Sequence, residues 1–247
     1  MNAINEINDM NKIENNNFNF KKIINYMTPF QWFEVLGVTV ITLFFAFTET
    51  QKPLWYTVIN SAAAICGIFC VVLCAGGKRA QYYWGFANIV AYVIVAWIDK
   101  LYGEVMLNAL YYFPTQFIGL WLWKKNRADD NGTVKSKKMK WWFTIILVVS
   151  CGLCIWLYQI VLNRLGGNNT WLDSTTTVIS IFANALMVLR YREQYLLWFV
   201  VNAVSVVMWA ARQNAIMTVM WAFYLMNAVY GYIVWTKMNK DMNKDNK

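Results

Sequence analysis

Apolar residues run almost without interruption through eight stretches, near 30–48, 54–75, 82–98, 104–123, 141–162, 171–189, 195–211 and 215–235, separated by short polar or charged connections. A helix rises about 1.5 Å per residue and the hydrocarbon core of a bilayer is about 30 Å thick, so about 20 residues cross it. The runs are continuous rather than alternating. That argues for helices over a barrel, because lipid offers no partner to backbone groups left unpaired. The pattern predicts an all-α membrane protein of eight spans with little chain left for a soluble domain. Aromatic residues gather at span ends, among them Trp55, Tyr82, Tyr83, Trp121, Trp123, Trp141, Trp142 and Trp171, where amphipathic rings suit the headgroup belt.

Composition sharpens the picture. The 247 residues are 59% hydrophobic and 14% charged, against about 45–50% and 25% in soluble domains. His is absent, which removes the usual neutral-pH acid/base and the commonest metal ligand, so hydrolase chemistry is disfavoured and no catalytic residue, metal or cofactor is expected. The net charge of +9 would suggest nucleic acid in a soluble protein, but its placement is topological. Of 22 Lys and Arg residues, all but Lys52, Lys100, Arg164 and Arg212 lie in the amino-terminal segment, the second, fourth and sixth connections, and the carboxy-terminal tail. The positive-inside rule then puts both termini of a multi-pass membrane protein in the cytoplasm, with the lipid bilayer and not nucleic acid as partner. Cys66, Cys70, Cys74, Cys151 and Cys154 read as small packing residues.

The chain also resembles itself. At an offset of 114, Trp84 and Asn88 align with Trp198 and Asn202; at 112, Tyr112, Gly119 and Trp123 align with Tyr224, Gly231 and Trp235. The matches predict that spans two to four are repeated as spans six to eight. Three is odd, so a fifth span is needed to return the second copy to the same orientation, giving two parallel-repeat three-helix bundles joined by a linker helix (3+1+3). The segments are an Asn-rich cytoplasmic tail (1–29), an extra amino-terminal transmembrane helix (30–48), the first three-helix bundle (54–123), a cytoplasmic loop with the linker helix (124–170), the second bundle (171–236) and a cytoplasmic tail (237–247).

Helical spacing puts Trp84, Asn88 and Tyr92 on one face of the third span, and Asn108, Tyr112 and Gln116 on one face of the fourth. Trp198, Asn202 and Trp209 do the same on the seventh, Tyr224 and Asn227 on the eighth, and Asn184 adds an amide on the sixth. Amides are costly in lipid unless hydrogen-bonded, so this concentration implies bonding between helices or a polar ligand. The acidic residues Glu34, Glu49, Asp99, Glu104 and Asp173 fall at or near span ends. With no carboxylate or cation placed at mid-depth, ion coupling and a phosphorylated substrate are both disfavoured. A neutral or cationic ligand with an aromatic ring fits.

The run WGFANIVAYVIVAWIDKLYGEVMLNALYYFPTQFIGLWLW at residues 84–123, with its W-x-x-x-N-x-x-x-Y helix and the tyrosine-rich helix ending in G-x-W, resembles the PnuC family of bacterial nicotinamide riboside transporters. The likeness covers about residues 50–237 and includes Trp198, Asn202 and Trp209. It implies a fold similar to full-length SWEET sugar transporters. It also implies uptake of nicotinamide riboside, an NAD precursor, by facilitated diffusion, with phosphorylation by a cytoplasmic riboside kinase trapping the product. Carried over by position, it points to Asn88, Tyr92, Tyr112 and Gln116 in the first half and Asn202, Trp209, Tyr224 and Asn227 in the second. A related vitamin such as thiamine, or a ligand-binding membrane sensor, is the alternative. The extra first span and tail stand outside the repeat and suggest a contact within a homo-oligomer.

Overall fold

The computed structural model describes residues 26–48, 52–99, 102–128, 133–164, 170–211 and 215–245. The Asn-rich tail falls almost wholly outside them. Eight helices form among the described residues. They are α1 (Pro29–Thr48), α2 (Leu54–Ala75), α3 (Gln81–Ile98), α4 in three consecutive parts (Tyr102–Met106, a π-helical stretch Leu107–Tyr112, and Phe113–Lys125), α5 (Trp141–Arg164), α6 (Thr170–Val188), α7 (Gln194–Ala211) and α8 (Ala215–Asp245). These match the eight predicted stretches to within a few residues, except that α8 runs on through the polar tail. A helix already nucleated in the membrane adds residues at little cost, and Lys237, Met238 and Lys240 are good helix formers. By length and mean hydropathy alone, α1, α2, α5 and Trp171–Val188 of α6 can cross a membrane. The other four carry most of the Trp, Tyr and amide residues of the predicted polar faces, which lower their apolar signal.

Two units are described, Met1–Phe33 and Glu34–Lys247. In the first, Thr28, Pro29 and Gln31 start α1 with a capping box. The Gln31 backbone N–H donates to Thr28 Oγ1 at 3.3 Å, and the Thr28 N–H donates to Gln31 Oε1 at 2.9 Å.

In the second unit α2 packs on α3, α3 on α4, α6 on α7 and α7 on α8, while α5 packs on α6. Two further contacts join these sets, α4 with α6 and α8 with α2. They are matched in detail. Trp123 Nε1 of α4 donates to the Met187 carbonyl of α6 at 3.1 Å, and Trp235 Nε1 of α8 donates to the Cys74 carbonyl of α2 at 3.1 Å. Asn184 Nδ2 donates to Thr115 Oγ1 at 3.0 Å, and at the matching place Asn227 Nδ2 donates to the Val71 carbonyl at 3.3 Å.

α2 and α6 also end alike. Gly77 (φ 65°) and Arg190 (φ 68°) both take the left-handed conformation. Lys78 N–H reaches back to Leu73 O and Tyr191 N–H to Leu186 O, while Gly77 N–H bonds Cys74 O and Arg190 N–H bonds Met187 O, the Schellman pattern in both. Glycine is suited to this position; Arg190 occupies it with its side chain bonded to the Lys135 carbonyl at 3.2 Å. Burial holds that guanidinium below its usual pKa range.

This geometry corrects the repeat register. The matched turns differ by 113, as do the buried pairs Gln81 with Gln194 and Tyr82 with Tyr195 that follow them. Since α3 and α7 continue without interruption, Asn88 corresponds to Val201, not to Asn202. The two W-x-x-x-N motifs are one residue out of phase, about 100° around the helix.

The chain between α4 and α5 lies across both turns. Val134 N–H donates to the Gly77 carbonyl at 2.9 Å, and Lys137 N–H donates to the Arg190 carbonyl at 2.8 Å. Ser136 Oγ adds a bond to the Trp235 carbonyl at 3.0 Å. Beneath this strap Tyr82, Trp123, Val134, Tyr195 and Trp235 form one buried cluster, with the two indoles 5.6 Å apart. The sequence pattern assigns Tyr82 and Trp123 to the headgroup belt, whereas the fold makes them core. Close helix approach explains the difference, because Gly119 and Gly231 leave room for the rings of Tyr82 and Tyr195. Trp55, Tyr83, Trp121, Trp141, Trp142 and Trp171 do remain exposed, as a belt requires.

Candidate functional site

The predicted polar residues separate into a converging group and a bonding group. Convergence occurs at Gly67 in α2, a position preceded by the small residues Ser61, Ala62, Ala63 and Ala64. A Cβ there would stand 3.0 Å from Asn88 Nδ2 of α3 and 3.5 Å from the Tyr224 hydroxyl of α8. The missing side chain thus lets an amide from one half meet a phenol from the other. Asn88 itself is held by a 2.7 Å bond from Nδ2 to the Ala63 carbonyl, so its oxygen is turned away from that anchor. Tyr92, one turn along α3, is an electrostatic neighbour of Tyr224, Asp99 and Glu104. Tyr112 of α4 neighbours Tyr92, Glu104 and Ser180 of α6. Asn88, Tyr92, Tyr112 and Tyr224 therefore share one region, reached from α3, α4 and α8.

The shape of α4 contributes. Pro114 has no N–H to return to Leu110, and the turn before it widens so that Phe113 N–H bonds Asn108 O five residues back. This π-helical stretch carries Asn108, Tyr111 and Tyr112. Its extra residue shifts the angular position of Tyr112 relative to Glu104, an effect invisible to a regular helical wheel. Asn108 is buried, but its Nδ2 donates to the Glu104 carbonyl at 2.9 Å within the same helix. The amide supports the bulge.

Other amides join helices. Asn184 bonds Thr115, Asn202 Nδ2 bonds the Tyr224 carbonyl at 2.9 Å, and Asn227 bonds the Val71 carbonyl. Asn202 thereby fixes the backbone that presents Tyr224, whereas Asn88 and the Tyr224 hydroxyl both lie against Gly67. Gln116 lies against Gly85, whose Cβ would be 2.8 Å from its Nε2, and its buried Oε1 has no hydrogen-bond partner among the described residues; nor has Asn227 Oδ1. These two oxygens retain accepting capacity in a nonaqueous interior.

Trp84 and Trp198 do not join the convergence. Trp84 is 37% exposed and stacks on Phe69 with centroids 4.5 Å apart. Trp198 packs against both the cluster beneath the strap and the cluster of Cys151, Val178, Ile179 and Val201. Trp209 is helical, and its side chain lies outside the described residues. Sequence reasoning missed Gly67, Thr115 and Ser180. Gly67 alone left a signal, the run of small residues before it. Among the described residues no group of His, Cys, Asp or Glu has the makings of a metal site. An open groove of about 520 Å³ between α2 and α3, lined by Val58, Ile59, Phe86 and Val90 among other apolar side chains, offers almost no polar surface to a ligand.

The family model described as nicotinamide mononucleotide transporter matches residues 57–237. The chain belongs to this family. A nicotinamide riboside transporter PnuC of Haemophilus influenzae is 36% identical over 224 residues, covering 88% of this chain and 96% of that protein. The PnuC of Neisseria mucosa is 38% identical over 194 residues, covering 74% of this chain and 73% of that protein. The crystal structure of a vitamin B3 transporter PnuC superposes with a TM-score of 0.71 at 36% identity, covering 87% of this chain and 93% of that one. A multi-pass, all-α membrane protein of this transporter family is therefore established. α1 precedes the segment that the family model matches.

Proposed function

We propose that this chain carries nicotinamide riboside across the bacterial inner membrane, binding it between the two halves where Asn88, Tyr92, Tyr112 and Tyr224 meet. The observation that carries the reading is the approach of Asn88 and Tyr224, from opposite halves, across Gly67. Phenol rings offer faces to a flat cationic ring, and amide and hydroxyl groups suit a carboxamide and ribose hydroxyls. Gln116 and Asn227 contribute their free oxygens, while Asn108, Asn184 and Asn202 position helices. The family description speaks of a mononucleotide, and the two relatives' names of a riboside. The neighbours of Tyr92, Tyr112 and Tyr224 include no Lys or Arg among the described residues, and a phosphate brought into this region would lack a counter-charge. That favours the unphosphorylated riboside.

In this reading the basic strap face is cytoplasmic, as are both termini, and α5 links two parallel three-helix bundles that rock about the shared site. The cluster under the strap closes the cytoplasmic end. Movement is facilitated diffusion, drawn inward by a riboside kinase. Proteoliposomes containing the purified chain should show saturable uptake of radiolabelled nicotinamide riboside without an ion gradient. Strict dependence on a proton or sodium gradient would refute the passive mechanism, and uptake of thiamine in preference to the riboside would refute the substrate.

A further inference from the structure

From the backbone of Arg190 and the course of the strap we infer that Arg190 is a latch: its side chain holds the strap where it passes from one half of the molecule to the other, and its release lets the cytoplasmic end open. The inference rests on the reading of two halves that rock about a shared site, and adds to it a bond that keeps their cytoplasmic ends together.

The strap is shared between the halves. Its first part is clamped to the first half: Lys135 N–H donates to the Asn126 carbonyl after α4 at 3.0 Å, Val134 N–H to the Gly77 carbonyl at 2.9 Å, and Lys78 Nζ to Thr133 Oγ1 at 2.8 Å. Its second part is clamped to the second half. Ser136 Oγ donates to the Trp235 carbonyl at 3.0 Å, Asn239 Nδ2 to the Ser136 carbonyl at 3.2 Å, and Met139 N–H to Glu193 Oε2 at 3.0 Å. Lys137 exchanges two backbone bonds with the turn, donating to the Arg190 carbonyl at 2.8 Å and accepting from the Arg192 N–H at 3.0 Å. The changeover falls between Lys135 and Ser136. There Arg190 Nη1, rooted in the second half, donates to the Lys135 carbonyl at 3.2 Å. This bond crosses from one set of clamps to the other, so parting the halves at the strap pulls on it.

Arg190 itself bears two marks of such a role. It holds the left-handed conformation at φ 68°, which the matching turn gives to a glycine, Gly77 at φ 65°. A side chain is disfavoured there, and a residue kept in that conformation points to a constraint beyond the turn. Arg190 is also only 6% exposed, whereas a cation that merely marks the cytoplasmic side belongs among the headgroups. What the turn gains over glycine is the reach to Lys135. The base of the latch is firm, because the adjoining Arg192 pairs with Glu193 at 3.0 Å and its Nη1 donates to Thr236 Oγ1 of α8 at 3.2 Å. When the bond opens, the strap moves rather than the turn. With Gly77 at the matching place, the first half has no equivalent side chain, so the latch acts from one side.

The test follows a thiol introduced beneath the strap by Val134→Cys. Val134 is 1% exposed and lies in the cluster with Tyr82, Trp123, Tyr195 and Trp235, so a thiol there meets a membrane-impermeant maleimide only when the strap lifts. The full chain carrying this change is held in nanodiscs, and modification at position 134 is followed by peptide mass spectrometry. Arg190 is either intact or changed by Arg190→Gly or Arg190→Asn, both of which suit a positive φ. Where opening and reclosing outpace the reagent, the rate reads the open population. Both variants should label about tenfold faster, the scale of one hydrogen bond from a charged donor. Their melting temperature should stay close to that of the parent, because relief of the left-handed backbone offsets the lost bond. Labelling indifferent to the Arg190 side chain overturns the inference. Faster labelling matched by a large fall in melting temperature would mark a merely structural residue and overturn it too, as would failure of both variants to fold; if Arg190→Gly alone fails, Arg190→Asn decides by the same readings. Riboside uptake by the same chains in proteoliposomes separates the inference from the reading beneath it. Uptake with unchanged labelling defeats the latch alone, whereas faster labelling in chains that carry no riboside supports the latch and removes the riboside reading.

Discussion

Replacing Gly119 with Ala puts a methyl group where the Tyr82 ring already lies. The nearest ring atoms overlap the position of the added carbon, and Tyr82 is fully buried, so it cannot swing away without displacing Trp123, 5.2 Å from it centroid to centroid. Overpacking of this kind costs about 1–3 kcal/mol, offset by about 0.5–1 kcal/mol of better helix propensity. A net loss of about 0.5–2 kcal/mol corresponds to a fall in melting temperature of about 1–8 °C for a chain of this size. Gly152→Ala provides the control, because a Cβ there meets nothing within 4 Å; it should raise the melting temperature by a few degrees. Gly231→Ala should behave like Gly119→Ala, since Tyr195 fills the matching space. The assay is thermal unfolding in detergent followed by size-exclusion chromatography with intrinsic fluorescence. Adding Tyr82→Ala to Gly119→Ala should recover part of the loss relative to the sum of the single changes. A Gly119→Ala chain that melts at or above the wild type would refute the packing argument.

Other perturbations read different parts of the structure. Trp235→Phe removes the bond to the Cys74 carbonyl and should cost about 1 kcal/mol, with a matching loss for Trp123→Phe, in the same melting assay. Val134→Asp buries an unpaired charge beneath the strap and should destabilise by several kcal/mol, visible as lost monodisperse protein, whereas Val134→Ile should be tolerated. Glu34 is fully buried with neither carboxylate oxygen hydrogen-bonded among the described residues, so the isosteric Glu34→Gln should match or exceed wild-type melting and Glu34→Lys should fall well below it. In riboside binding, Asn88→Ala should lower affinity about tenfold, and Asn88→Ala and Asn202→Ala should each also lower the melting temperature, because one releases the Ala63 carbonyl and the other the Tyr224 carbonyl.

The eight helices were legible from the chain because lipid imposes a length and a polarity on any segment that crosses it, and the apolar runs satisfy that demand locally. The charge asymmetry and the matches of Gly119 with Gly231 and Trp123 with Trp235 were legible for the same reason, being properties of residue order. Most of the candidate polar residues could be named because a wheel of 3.6 residues per turn sorts them onto faces. What each amide does could not. Asn88 and Asn202 look equivalent in sequence, yet one residue of phase turns one toward α2 and the other toward α8, and only the matched turns at Gly77 and Arg190 reveal the 113 register. Tyr82 and Trp123 looked like headgroup anchors because burial depends on how closely a neighbouring helix approaches, which Gly119 decides from another segment. The sequence by itself determined which segments enter the membrane and which polar groups they take with them. The tertiary structure decided which of those groups bond one another and which, like Gln116 Oε1 and Asn227 Oδ1, have no hydrogen-bond partner among the described residues, since that choice depends on distances between helices that no local pattern encodes.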